Sequence, residues 1–156
     1  MIALLKRKWR SWLRLPTRVR LLFLPTWCLL GLARLAVLTL PFRWLARWLG
    51  EETGVTPFTP VLSAIQVEVA GDIGRCIGLA AAYTPWQSLC QPQAFAARWW
   101  LGVYGIPCVV HYGVCRDPVK GLAAHAWVCA GPVAVTGGQS WDEFVVVRSF
   151  SKMQKQ

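Results

Sequence analysis

The texture of the chain changes once, at Pro107, and that change constrains the fold more than any single motif. Before it, apolar residues recur at helical spacing; after it come "PCVVHYGVC", "AAHAWVCA", "PVAVTGG" and "EFVVVRSF", separated by "RDPVKG" and "GP". Short runs rich in valine and aromatic residues, punctuated by Gly and Pro, predict antiparallel strands joined by tight connections. Helices first and strands after give an α+β layout, a small antiparallel sheet backed by helices. At 156 residues the chain is expected to form one structural domain with a sizeable core.

Charge divides the chain differently. Lys6, Arg7, Lys8, Arg10, Arg14, Arg18, Arg20, Arg34, Arg43 and Arg47 all precede Glu51, the first acidic residue, so residues 1–50 carry the whole net +10. From Glu51 onward seven basic residues face seven acidic ones. Gly50, Gly54, Pro57 and Pro60 punctuate this boundary. The expected organisation is therefore a basic amphipathic helical region, 1–50, followed by a core, 51–156.

In the basic region the longest uncharged run is "LLFLPTWCLLGLA", 13 residues from Leu21 to Ala33. That is short of the roughly 18–20 residues a helix needs to cross a bilayer. Basic residues continue past it and no small-residue cleavage site closes it, which argues against a signal peptide. Leu29, Leu30, Ala33, Val37 and Leu40 mark a helical stripe, with Arg34, Arg43 and Arg47 off it, so two or three amphipathic helices are expected. Their apolar faces cover the rest of the domain, with contact to a membrane surface as the alternative. Scattered arginines without a recognised motif do not make a nucleic-acid site. "VLSAIQVEVAGDIGRCIGLAAAY" and residues 88–104 predict two further helices.

Six cysteines, at 28, 76, 90, 108, 115 and 129, include no C-x-x-C pair. Neither a disulfide framework nor a metal site is expected, and most of these thiols read as small core residues. Cys90 has a different context. In "SLCQPQAFAARWW", Ser88 is a candidate N-cap and Pro92 suits a first helical turn. A thiol there lies near unpaired backbone N–H groups and the positive end of the helix dipole, which favour the nucleophilic thiolate. A buried structural cysteine at a helix start fits the spacing equally well. A nucleophile needs a base, and the chain has two histidines, His111 and His125. "GLAAHAWVCA" is expected to place His125 at the beginning of a strand, projecting from the sheet rim, with Trp127 on the same face as a shield; His111, inside "VVHYGV", reads as a satisfied strand residue.

"WQSLCQPQAFAARWWLGVYGIP" followed by "HYGVCRD", "GLAAHAWV" and "VTGG" resembles the leader peptidases of lasso peptide biosynthesis, members of the transglutaminase-like, papain-related cysteine peptidases. "LARLAVLTLPFRWLARWLG" is similar to the helical start of their stand-alone forms. The resemblance covers nearly the whole chain. It implies that Cys90 attacks the bond joining leader to core in a ribosomally made precursor, with His125 shuttling the proton and no cofactor. Ser88 or Gln87 would assist the Cys90 backbone N–H at the oxyanion. It also implies a separate leader-recognition protein, an ATP-dependent cyclase acting on the released core, and a cytoplasmic location, with the inner membrane face as a further contact.

Members of that family commonly carry an aspartate about a dozen residues after the histidine. Here that stretch is "PVAVTGG", and the chain contains no asparagine. Asp142 is the expected orienter; Thr136, a backbone carbonyl or a simple dyad are the alternatives, and a solvated turn residue is the ordinary reading of Asp142. A transglutaminase-like acyltransferase or a non-catalytic membrane-associated scaffold would fit the same features.

Overall fold

A computed structural model describes residues 12–55, 59–117, 121–139 and 141–151. Lys6, Arg7, Lys8, Arg10, Pro57, Lys120 and the middle of the "RDPVKG" connection therefore lie outside the described residues. The fold is α+β: helices α1 (Thr17–Thr39), α2 (Phe42–Leu49), α3 (Ala64–Ala82) and α4 (Cys90–Val103) back a five-stranded sheet. Its strands are β1 (Glu51–Glu52), β2 (Val109–Asp117), β3 (Gly121–Ala130), β4 (Val133–Thr136) and β5 (Val145–Ser151), in the order β1-β5-β2-β3-β4 with every pair antiparallel. The four expected strands are present. The two-residue β1 is an addition, made where the chain leaves α2 and brushes the sheet edge.

The N-terminal region differs from expectation. Two helices, α1 and α2, are described there, within the two or three expected, but α1 is a single helix of 23 residues that runs through both Pro25 and Arg34 and exposes leucines on its outer side. It is long and apolar enough to cross a membrane by length and composition, and only 17% of its most apolar window is buried. The uncharged run of 13 residues was too narrow a measure, because one arginine does not end a helix. Pro25 costs a helix about 3 kcal/mol through its missing N–H and ring clash. Here it is exposed, so water can serve the carbonyl it leaves without a donor.

Packing on the inner side of α1 offsets that cost. Val19, Leu22, Thr26, Leu30 and Ala33 are its buried residues. The Thr26 hydroxyl accepts from Trp100 Nε1 on α4 at 3.0 Å and from the Cys76 thiol on α3 at 3.4 Å. Arg18 donates to Asp72 on α3 at 2.8 Å. Cys76, expected as a core thiol, is buried, and that burial pushes its pKa up. Cys28, on α1, is exposed, against expectation, because it falls on the outward face.

The short α2 is amphipathic as expected, with Leu45 and Leu49 buried and Arg43, Trp44, Arg47 and Trp48 exposed. Its terminal carbonyl at Leu49 accepts a 3.0 Å bond from Arg98, a buried arginine of α4. Ser63 and Gln66 start α3 with a reciprocal capping box. Such a pair satisfies two otherwise orphaned donors and is worth about 1 kcal/mol. Val110, Ala126, Val128, Ala130 and Phe150 form the sheet side of the core, against Ile73, Ile77, Ala94, Ala97 and Leu101 of the helices.

Candidate functional site

Cys90 is the first residue of α4 and is half-buried. The N-cap position is Leu89, with no side-chain cap, so Ser88 does not cap the helix as expected. It braces the preceding turn instead. The Thr84 hydroxyl bonds the carbonyls of Ala81 and Trp86 at 2.9 Å each and the Ser88 hydroxyl at 3.0 Å. Gln93 Nε2 reaches back to the Ser88 carbonyl at 2.7 Å. A turn held this way fixes the direction from which the chain enters the helix.

The first backbone N–H groups of a helix have no intrahelical acceptor. Pro92 has no N–H at all, and the Gln93 N–H is taken by the Leu89 carbonyl at 3.2 Å. The N–H groups of Cys90 and Gln91 thus remain at the helix tip, beside the thiol. Gln87, the other suggested donor, is exposed.

Tyr112 is a neighbour that pattern reading passed over. Burial pushes its phenol well above the ordinary range, with the Gln91 side chain acting against that rise and nearby Cys90 adding to it. The Gln91 side chain is the polar group that faces this hydroxyl, which is buried and without a hydrogen-bond partner of good geometry among the described residues. The available signal was alternation: Tyr112 flanks His111 in a strand and must point the other way, toward the helices.

His125 lies in the middle of β3, opposite Gly113 on β2, and not at a strand beginning as expected. The extra strand residues come from "GLAA", which the Ala- and Gly-rich composition disguised as loop. Its ring stacks on Trp127, with centroids 5.8 Å apart and planes 22° apart, and meets Phe144 at 5.0 Å. Trp127 is fully buried. Gly113 makes room for it, since a Cβ there would sit 2.8 Å from the indole and 2.9 Å from Phe144.

His125 Nε2 donates to the Gly137 carbonyl at 2.9 Å, twelve residues along the chain. Because a carbonyl can only accept, this bond fixes the neutral tautomer with Nε2 protonated and Nδ1 free to take a proton. Gly137 has φ +70°, and a Cβ there would lie 2.9 Å from that nitrogen. A backbone carbonyl occupies the place where a carboxylate was sought. Thr136, beside it, keeps a buried hydroxyl without a partner among the described residues. Asp142 sits exposed on a single 3-10 turn, Trp141–Glu143, with no hydrogen bond or ion pair to His125 among the described residues.

Cys90 therefore meets the sheet through Gln91 and Tyr112. Alternation sets His125 and Trp127 on the face opposite Ala126 and its register partner Tyr112. No hydrogen bond joins thiol and imidazole among the described residues. The imidazole lies where β4 has just ended at Thr136, so that edge of β3 is unpaired beside it. His111, as expected of a satisfied strand residue, bonds Ser149 Oγ at 2.9 Å, and burial lowers its pKa. No group of three His, Cys, Asp or Glu side chains among the described residues could hold a metal ion.

No curated protein and no solved structure matches this chain. Residues 36–149, spanning α2, both halves of the candidate site and most of β5, do match a known family, one of cysteine peptidases and acyltransferases. The chain belongs to the transglutaminase-like superfamily.

Proposed function

We propose that this protein is a cysteine peptidase that cuts the leader from a ribosomally made lasso precursor and releases the core for cyclisation. The observation that carries the reading is the position of Cys90, a half-buried thiol at the first residue of an internal helix within the matched region. The peptide class comes from the resemblance carried by "SLCQPQA" and "AHAW".

In this reading His125 Nδ1 takes the Cys90 proton and the thiolate attacks the carbonyl carbon of the leader–core bond. The oxyanion is received by the N–H groups of Cys90 and Gln91, with Ser88, Gln87 and the unpartnered Tyr112 hydroxyl as side-chain candidates. The C–N bond breaks, the imidazolium gives its proton to the departing amine, and a thioester remains. Water then attacks the thioester, returning the thiol and leaving a carboxylate. This sequence requires the imidazole to approach the thiol around the unpaired edge of β3. In the resting arrangement the Gly137 carbonyl holds the imidazole's tautomer, and the ring leaves that bond to reach the thiol; Asp142 is the carboxylate alternative as orienter. A separate recognition protein delivers the leader, and a cyclase consumes the core.

Incubating precursor with the protein and its recognition partner, then weighing the products, tests the reading. Free leader and core, lost with Cys90→Ala, support it. An amine-linked product in place of the hydrolysed one would make the chain an acyltransferase. Processing that survives Cys90→Ala would reduce it to a scaffold.

A further inference from the structure

The outward face of α1 has no occupant within the fold. Leu21, Leu24, Leu32, Leu35 and Leu38 are between 58% and 72% exposed, and exposed Cys28 lies between them. At about 100° per residue these positions fall on one face, directly opposite Val19, Leu22, Thr26, Leu30 and Ala33, which are buried against α3 and α4. The result is a leucine ridge about 25 Å long, at 1.5 Å per residue. Beside it, Trp48 of α2 (65% exposed) and Trp99 of α4 (56% exposed) border an open apolar groove of about 1620 Å³ that Leu32 and Leu35 also line. Neither Cys90 nor His125 lines that groove.

Positive charge surrounds the same surface. Arg34, Arg43 and Arg47 carry no ion pair among the described residues, whose bridges are Arg18 to Glu68 and Asp72 and Arg148 to Glu52. The first acidic residue in the chain is Glu51. A ridge of leucines with neighbouring tryptophans and unneutralised arginines is the composition of a helix lying in a membrane interface, where indoles sit at headgroup level and arginines meet anionic lipid.

We infer that this face docks on an anionic lipid bilayer, with α1 lying in the plane of the interface. The helix does not cross the bilayer in this folded state. It is tied along its length to α3 and α4, by Arg18 to Asp72 near its start, by Thr26 to Cys76 and Trp100 in the middle, and by Leu30, which joins the common core, beyond. Spanning would carry those contacts and their polar partners into hydrocarbon. Lipid meets the outer half alone, and charge complementarity selects the lipid. The inference does not rest on the peptidase reading.

The test is co-sedimentation of the full chain with vesicles of phosphatidylcholine, alone or with about a third phosphatidylglycerol, at low and high salt. The wild type should pellet with anionic vesicles, weakly with neutral ones, and lose binding as salt rises. Leu32→Glu with Leu35→Glu places two carboxylates on exposed positions and should lower the partition coefficient roughly a hundredfold, with the circular dichroism spectrum and melting temperature unchanged. Wild-type protein that stays in the supernatant with both vesicles, or a double variant that pellets like wild type, overturns the inference. So does a wild-type dimer that ignores vesicles and becomes monomeric in the double variant, which would assign the ridge to a second copy of the chain. Core release from a soluble precursor, followed in parallel, reports on the peptidase reading separately.

Discussion

The turn that carries Cys90 and the strand that carries His125 are held by different forces. The turn is fixed by short polar bonds among Thr84, Ser88 and Gln93, all within a few residues of one another. The strand residue is fixed by rings, Trp127 and Phe144, and by one carbonyl twelve residues away. Polar turns tolerate local substitution because water can replace a lost partner; stacked, buried rings tolerate little change in volume. Chemistry should therefore respond most sharply to the thiol, and stability to the space around the tryptophan.

The largest effect is expected from removing the sulfur. Cys90→Ala should lower leader release roughly a thousandfold or more, with unchanged folding, as single-turnover assays and circular dichroism would show. Equal loss of structure and activity would mean that Cys90 is a packing residue. Next in size is Gly113→Ala, which forces a methyl group against the Trp127 ring at 2.8 Å. Overpacking of this kind costs about 1–3 kcal/mol. The urea midpoint should fall by the corresponding amount, whereas Ser88→Ala on the turn should cost under about 1 kcal/mol. Similar losses at both positions would erase the contrast between the two regions.

A comparable effect should follow alkaline pH. Burial holds the Cys108 thiol up at about 11, against an ordinary value of 9.0, with Arg98 opposing that rise and Cys129 adding to it. The folded thiol thus stays neutral where the unfolded one ionises. Stability from this group is complete below pH 9, and about 2–3 kcal/mol of it is lost as pH rises through 9 to 11. Urea unfolding at pH 8 and pH 10.5 should show the decline, and Cys108→Ala should flatten it. The smallest effect is expected at Asp142. Because it is exposed and makes no hydrogen bond or ion pair with the imidazole, Asp142→Asn should change leader release by less than about twofold. A tenfold drop in kcat would make Asp142 the orienter after all.

Legibility in the sequence followed the range of the interactions. The strands, the amphipathic α2 and a helix beginning next to Pro92 were readable because each depends on neighbours within a turn or two. The stacking of Trp127 on His125 followed from alternation alone. The Ser63–Gln66 capping box was equally local and could have been read as Ser-x-x-Gln before an apolar run. The continuity of α1 through Pro25 was not readable, because contacts with residues about fifty positions away, Asp72 and Cys76, offset the local penalty. The Gly137 carbonyl was invisible for a different reason. A backbone acceptor has no letter in the sequence, and its position depends on where β4 ends.

The single tryptophan of α1, Trp27, points to one practical consequence. Trp27 Nε1 donates to the Tyr83 carbonyl at 3.1 Å, its ring lies 4.7 Å from that of Trp86, and Gly31 leaves the space that Trp86 fills. Tyr83 and Trp86 belong to the segment that leads into the reactive cysteine. The family match begins at residue 36, so a fragment trimmed to that boundary would discard most of α1 and, with it, the buttress beneath the nucleophile's approach.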